Sequence, residues 1–472
     1  METDCSSEQL EFQGLGSRRV VAGFDAGRVT SDGGVLLLRE VSRRTGLLRH
    51  FAGCFRDYRN PALIEHSVEE LVSQRVLGQA LGYEDLNDHD SLRDDALFAV
   101  GVGKDDPTGK HRRCERDRGH ALAAHATLNR LELTPAHANE SSRYHKVVYD
   151  AGAIDDLLVD AFLGAHRQPP ERIVLDLDAT DNPLHGQQEG RFFHGYYRSY
   201  CYLPLYIFCG DFVLCARLRR SNIDASAGSV EELERIVSRI RQRWPEVQIW
   251  IRADSGFARE AIMHWCEQNR VQYVLGLARN ARLEKAIEEE MAQAKWRHEQ
   301  SGKPERIFKD FSYQTHDTWS RSRRVVGKAE WLPGKENPRF VVTSLCEQDV
   351  EAADLYEKIY CARGDMENRI KEQQLGLFAD RTSSHTMRAN QLRLYFASIA
   401  YVLVNELRRV GLAGTALARA QVSTIRTRLF KIGAIVRISV RRVYIALSSV
   451  FPLRQIFCQV LLNLHHAYPL RI

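Results

Sequence analysis

Between Pro169-Pro170 and Leu277 the chain switches repeatedly between short apolar runs and amphipathic stretches, and this alternation restricts its fold more than any other feature. Ile173-Val174-Leu175-Asp176-Leu177-Asp178 reads as a strand, followed by the turn-forming Asp181-Asn182-Pro183. The apolar runs 203–208 and 212–218, joined through Cys209-Gly210-Asp211, read as a hairpin. A helix over about 230–243, a strand over 247–253, a helix from Arg259 and a strand over 271–277 complete the series. Three strands, then helix, strand, helix, strand require a mixed sheet with helices packed on it, an α/β layout.

The flanking regions differ. Up to about residue 165 the chain reads as mainly helical, after a short extended start at 19–24 and a turn at Ser31-Asp32-Gly33-Gly34. Ser67-Val68-Glu69-Glu70 is a capping box, and Val68, Leu71, Val72, Val76, Leu77, Ala80 and Leu81 then recur at helical spacing as far as Gly82. The Asp-rich stretch 84–95 reads as a solvated helix start, and 104–118 as a basic loop. Residues 309–345 look extended, and beyond Asp354 the chain returns to helix through Arg409. After Glu406 there is no acidic residue, while basic residues continue from Arg408 to Arg471. Apolar and basic residues mix in Ile435-Val436-Arg437-Ile438-Ser439-Val440-Arg441, for which a helical hairpin with a phosphate-binding cationic face is expected.

Composition excludes several classes. The 472 residues, 44% hydrophobic, suffice for a sizeable core and for more than one domain. Lys plus Arg number 66 against 61 for Asp plus Glu, so the net charge of +5 excludes a uniformly basic coat but not local basic surfaces. The start METDCSSEQLEFQG lacks the layout of a secretory signal, and the most apolar stretch, 394–404, is too short to cross a bilayer. A soluble, cytoplasmic protein that avoids membranes is expected. The cysteines are scattered from Cys5 to Cys458 without any C-x-x-C, so they are expected to be reduced and mostly buried.

Three carboxylates stand out by context. Asp178 ends an apolar strand, with Asp176 two residues earlier on the same face. Asp254 ends the strand Val247-Gln248-Ile249-Trp250-Ile251-Arg252-Ala253, and Glu367 lies in the later helix. Charges at strand ends beside a hydrophobic sheet are costly unless something positive meets them. Oxygen ligands of this kind suit magnesium, and two such ions about 4 Å apart can activate water and stabilise the leaving oxygen of a phosphodiester. Each residue also has a plainer reading: Asp178 as a turn starter, Asp254 as a helix cap, Glu367 as an intrahelical ion-pair partner. Tyr360, Arg363, Glu367 and Lys371 are spaced three, four and four residues apart. At roughly 100° per residue they share a stripe about 80° wide on one helix face.

The stretches LDLDATDNPLHGQQEG, YLPLYIFCGDFVLCARLRRSN, IWIRADSGFARE and YCARGDMENRIKEQQ resemble the DDE transposases of bacterial insertion sequences, in the branch with a β-strand insertion before the catalytic Glu. The run FRDYRNPALIEHSVEELVSQRVLGQALGYEDLNDHDSLRDD extends the resemblance over most of the chain. It implies an RNase H-like sheet with Asp178 (or Asp176), Asp254 and Glu367 as catalytic and metal-binding residues. It also implies Mg2+ as cofactor, with Mn2+ able to substitute. The branch signature Tyr, Arg, Glu, Lys is met by Tyr360, Arg363 and Glu367, but its final position is Gln374, and Lys371 is expected to replace the missing cation. Tyr360, Arg363 and Lys371, with Arg217, Arg219 and Arg220, are the expected DNA contacts. Trp319 and Trp331 are candidates for stacking on a displaced base, or plain core aromatics of a small sheet.

The expected organisation is a helical DNA-binding region at 1–165 and a catalytic core at 166–280 and 346–410. A β-rich insertion at 281–345 interrupts the core, and a basic helical segment follows at 411–472. The expected activity is cut-and-paste transposition on double-stranded DNA, element ends and target alike, by a homodimer on paired ends. A nuclease without strand transfer and a non-catalytic DNA-binding protein are the alternatives.

Overall fold

The computed structural model describes residues 9–468. Eight strands of one large sheet carry its centre: β1 (Arg172–Ala179), β2 (Leu205–Cys209), β3 (Phe212–Arg217), β4 (Gln248–Ala253), β5 (Gln272–Leu277), β6 (Glu305–Tyr313), β7 (Arg323–Leu332) and β8 (Arg339–Thr343). Their spatial order is β3-β2-β1-β4-β5-β8-β7-β6, and the short strand Lys335–Glu336 pairs with β7 to make nine. β1, β4 and β5 run parallel, β2 is antiparallel to β1, β3 is antiparallel to β2, and β8 is antiparallel to β5.

The period-two pattern of the strands decides which residues face which layer. Leu175 and Leu177 on β1, Ile249 and Ile251 on β4, and Tyr273 and Leu275 on β5 point to one side. There they pack against α2 (Ser229–Arg243) and α3 (Glu260–Gln268) through Leu233, Ile236, Ile262 and Met263; α1 (Ala151–Ala165) packs with them through Val159 and Phe162. Burying each such side chain is worth roughly 1.5–3 kcal/mol. On the opposite face Val174, Trp250, Val274, Val326 and Val341 meet Leu355 and Tyr356 from the helical turns that precede α5 (Gly364–Leu377). Asp176, Asp178, Arg252 and Asp254 share the parity of this second face.

Residues 281–345 do not form a separate sheet. They contribute α4 (Glu288–Ser301) and four strands, β6, β7, the short Lys335–Glu336 and β8, which join the sheet where β8 pairs with β5. The insertion therefore widens the core sheet. Asn182–Pro183, expected in a turn, is the first strand of a small three-stranded sheet with Ser199–Tyr202 and Phe192–His194.

The expectation of a helical C-terminal segment is corrected. Ala434–Ser439 and Arg442–Leu447 form an antiparallel hairpin, joined by Val29–Thr30 into a three-stranded sheet, before the single long helix Arg454–Ala467. Val436 through Arg441 alternate apolar and polar at period two, which suits a strand and leaves no helical stripe. The two ends of the chain also share one core. Val35, Leu38, Leu71, Val76, Phe430 and Val460 pack around α6 (Met387–Glu406), and Lys431 reaches the buried Asp32 at 2.6 Å. The boundaries expected at residues 165 and 411 thus do not separate independent cores. The apolar stretch 394–404 lies inside α6, which is buried on nearly all sides as a central core helix is. Among the described residues no helix is long and apolar enough to cross a membrane.

The capping box is present as expected: Ser67 Oγ accepts from the Glu70 amide at 3.2 Å, and the Glu70 carboxylate accepts from the Ser67 amide at 2.8 Å. The helix Val68–Leu81 stops at Gly82, whose φ of 99° only glycine adopts freely. Cys54, Cys201, Cys215 and Cys266 are buried, whereas Cys346, Cys361 and Cys458 are exposed, and none of the described cysteines is paired. Cys5 and Arg471 lie outside the described residues.

Candidate active site

Two neighbouring parallel strands end in acid. Ala253 on β4 is in register with Leu177 on β1, so Asp254 and Asp178 come next, one strand spacing (about 4.8 Å) apart. Two residues earlier, Arg252 is in register with Asp176 and donates to both of its carboxylate oxygens, at 2.5 and 2.8 Å. The same guanidinium also donates to the Ile359 carbonyl. Asp176 is buried with both oxygens engaged. Asp178 has no such clamp: among the described residues its carboxylate accepts only from the adjacent Ala179 amide, at 2.9 Å. Asp254 accepts from the Gly256 amide at 2.8 Å and so caps the tight turn Ser255–Phe257.

Burial pushes the Asp178 carboxyl up to about 7; Arg363 pulls against this, while Asp254 and Glu367 add to it. The chief physical cause is loss of water around the carboxylate, with the neighbouring acids as a smaller addition. Arg363 shares this field. Burial pulls its guanidinium down, but Asp178, Tyr360, Glu367 and Asp254 together hold it above the ordinary range. It is ion-paired directly with Glu367 at 2.9 Å, one turn along the helix.

The helix reaches the sheet through an irregular entry. Leu355–Tyr360 is a π-helical turn and Cys361–Arg363 a 3-10 turn, and only then does α5 begin. Such widened turns re-aim side chains at functional sites. Here the turn lays the Tyr360 hydroxyl over Gly276 of β5. A Cβ at Gly276 would stand 2.5 Å from that hydroxyl and 2.9 Å from the Ser255 amide nitrogen. Burial raises the Tyr360 phenol, with Arg363 opposing and Asp254 adding to the rise. Glycine at 276 is thus a condition for the helix to approach Asp254.

Lys371, one turn beyond Glu367, is exposed and pairs with nothing among the described residues. Gln374 does something else. Its side-chain amide donates to the Asp181 carbonyl at 3.2 Å and to Asn182 Oδ1 at 3.0 Å, tying α5 to the segment that follows Asp178. Of the three arginines expected to touch DNA, two have internal partners. Arg217 binds Asp155 at 2.7 Å and Glu232 at 2.8 Å, and the buried Arg219 donates to the carbonyls of Leu203 and Ala225 at 2.9 and 3.0 Å. These bonds supply the counter-charge and acceptors that burial demands; Arg219 is buried, whereas the ion-paired Arg217 keeps part of its side chain exposed. Arg220 alone is exposed, lying against Gly190. Trp319 is buried and packs edge-on to Tyr313, with centroids 5.6 Å apart; Trp331 lies under the Lys295 ammonium.

Arg252, Gly276 and the tether by Gln374 escaped the sequence reading. A signal existed for Arg252: a lone charge inside an apolar strand, two residues before an acid, mirrors the Asp176–Asp178 spacing on the neighbouring strand.

Among the described residues no three His, Cys, Asp or Glu side chains stand close enough together to hold a metal ion. Glu367 is turned to Arg363 instead. The donor chemistry nevertheless fits a hard cation: among the described residues Asp178 and Asp254 each accept only a backbone amide, and the candidate ligands are carboxylate oxygens.

A sheet in this strand order, with acids at the ends of its two central parallel strands and a third on a helix crossing the same face, defines an RNase H-like α/β core. The chain matches the family described as Transposase DDE domain group 1 over residues 12–469 and belongs to it. No curated protein matches the chain.

Proposed function

We propose that this transposase cuts and joins DNA at the face formed by Asp178, Asp254 and Glu367, in a cut-and-paste transposition. What supports this reading is the register that sets Asp254 beside Asp178 at the ends of β4 and β1, with Arg363 ion-paired to Glu367 on the helix across the same face. Water attacks a phosphodiester at the element's end, and the freed 3′-hydroxyl then attacks the target strand. Both are in-line displacements at phosphorus, so one site serves both without a covalent enzyme intermediate.

Asp178, Asp254 and Glu367 would hold magnesium (or manganese), which when bound supplies positive charge for the attacking and leaving oxygens. The chain's own residues do the rest. Arg363 leaves Glu367 for a backbone phosphate of the entering strand, exchanging one anion for another. Tyr360 hydrogen-bonds the same strand, held in place by its fit over Gly276. Lys371 and Arg220, exposed and without side-chain partners among the described residues, contact neighbouring phosphates and fix the register of the duplex. Arg217 and Arg219 act behind this surface, keeping β3 and the following loop in shape. Two copies on paired ends would make excision a single event.

The test is magnesium-dependent cleavage and joining of a duplex carrying the repeats that flank this chain's gene, comparing wild type with Asp254→Ala. Cleaved and joined products from wild type and neither from the variant are expected. Equal cleavage by both would refute the active-site assignment. Cleaved but never joined product would favour a nuclease, and Glu367→Gln with every cellular effect unchanged would favour a non-catalytic DNA-binding protein.

A further inference from the structure

The small sheet between β1 and β2 is anchored at its base and bare at its tip. At the base, Tyr202 is fully buried, Asn182 Nδ2 donates to the Ala379 carbonyl at 3.1 Å, and the Glu189 amide donates to the His385 carbonyl at 2.8 Å. These bonds fasten it to the segment joining α5 and α6. Towards the tip, Phe193 and Tyr200 are cross-strand partners with ring centroids 5.6 Å apart, and the Arg191 guanidinium lies 4.5 Å over the Tyr200 ring. The closing loop 195–198 ends with Arg198 at a φ of 54°, its amide donating to the His194 carbonyl at 2.8 Å. Tyr196 on this loop is 84% exposed and Phe193 58%.

An exposed aromatic cluster on a firmly held support marks a binding surface, because folding alone would hide such rings. Two observations choose its occupant. The Arg191 guanidinium already lies on a ring face, the exposed Arg198 closes the same loop and the exposed Arg220 lies against Gly190 beside Arg191, and flat π faces near cations suit bases and phosphates better than they suit another apolar protein surface. The cluster also continues into the acidic face: Tyr197 packs edge-on against Tyr196, with centroids 5.0 Å apart. Its hydroxyl donates to the carbonyl of Ala179, the residue after Asp178, at 3.4 Å.

We propose that the hairpin 191–202 is a stacking platform for unpaired DNA bases beside the scissile phosphate, with Tyr196 and Phe193 taking the base faces and Arg191, Arg198 and Arg220 the adjacent phosphates. This rests on the reading of the Asp178 face as a DNA-cutting site and adds where the opened bases go. Base–aromatic stacking would favour an opened end over a paired one by roughly five- to a hundredfold for each ring.

The experiment measures binding without divalent metal, by fluorescence anisotropy, of two forms of the flanking-repeat duplex: one fully paired, one with a few unpaired nucleotides at the cleavage position. Wild type should bind the opened form at least tenfold more tightly. Tyr196→Ala with Phe193→Ala should lose that preference while holding the paired form as wild type does, and Tyr196→Trp should keep it. Both side chains are exposed, so an unchanged melting curve verifies folding. No preference in wild type, or an undiminished one in the double variant, overturns the proposal even if wild type cuts DNA. A double variant that loses self-association without DNA also overturns it, by making the patch a protein–protein face. Wild type that binds neither duplex and cuts neither would instead overturn the DNA-cutting reading itself.

Discussion

Asp176 and Asp178 lie two residues apart on one face of one strand, and the protein treats them in opposite ways. Asp176 is clamped by Arg252 from the neighbouring strand, and that arginine is clamped in turn by the Ile359 carbonyl. Asp178 receives one backbone amide and shares Arg363 with two other acids. The inner pair closes its electrostatic account within the fold; the outer group keeps a surplus of negative charge. A buried charge with a dedicated partner serves structure, whereas an acid held without one at the end of a central strand is what a site for cations and phosphates requires.

The largest effect that would break this contrast concerns chemistry. Asp178→Asn should lower strand cleavage by at least about a hundredfold, the upper end of what a residue merely supporting a metal ligand contributes, with stability at pH 8 equal to or above wild type. Cleavage within a few-fold of wild type would erase the distinction. Asp176→Asn should do the reverse at the level of folding. It strands the buried Arg252 and should cost about 3–5 kcal/mol in denaturant titrations, and replacing both partners by apolar residues should recover much of that.

The pH dependence sharpens the comparison. In the metal-free protein Asp178 keeps its proton up to about 7, whereas an unfolded aspartate releases it near 3.8. The folded state carries the extra proton between these values. Wild-type stability should therefore fall as pH rises through that window and level off above it, by at most about 1.4 kcal/mol per pH unit from this residue. Asp178→Asn should lack this component, and parallel curves for the two proteins would contradict it. The smallest effect tests the approach of the helix. Gly276→Ala forces a methyl against the Tyr360 hydroxyl and the Ser255 amide, and should cost about 1–3 kcal/mol while slowing cleavage. An unaltered melting curve would show that the helix can yield there.

Much of the fold was legible locally. The capping box at Ser67 and Glu70, the strand ending at Asp178 and the hairpin of β2 and β3 are set by residues close together in the chain, where period and cap chemistry speak directly. The ion pair of Arg363 and Glu367 follows from helical spacing alone. Other features depended on partners far away. The hairpin of Ala434–Ser439 and Arg442–Leu447 becomes a three-stranded sheet because the distant Val29–Thr30 joins it, and Arg217 is ion-paired because Asp155 and Glu232 are buried beneath it. The aromatics at 193–200 drew no attention as sequence, since exposure cannot be read from residue type.

The amino-acid order by itself determined the element types, the acidic strand ends and the helix stripe from Tyr360 to Lys371, because these rest on periods of two and 3.6 residues. Only the tertiary structure decided which acid is neutralised, which arginines stay exposed and where the insertion joins the sheet. The cost of a buried charge depends on what stands across from it, and that neighbour is supplied by strand register and helix packing between distant parts of the chain.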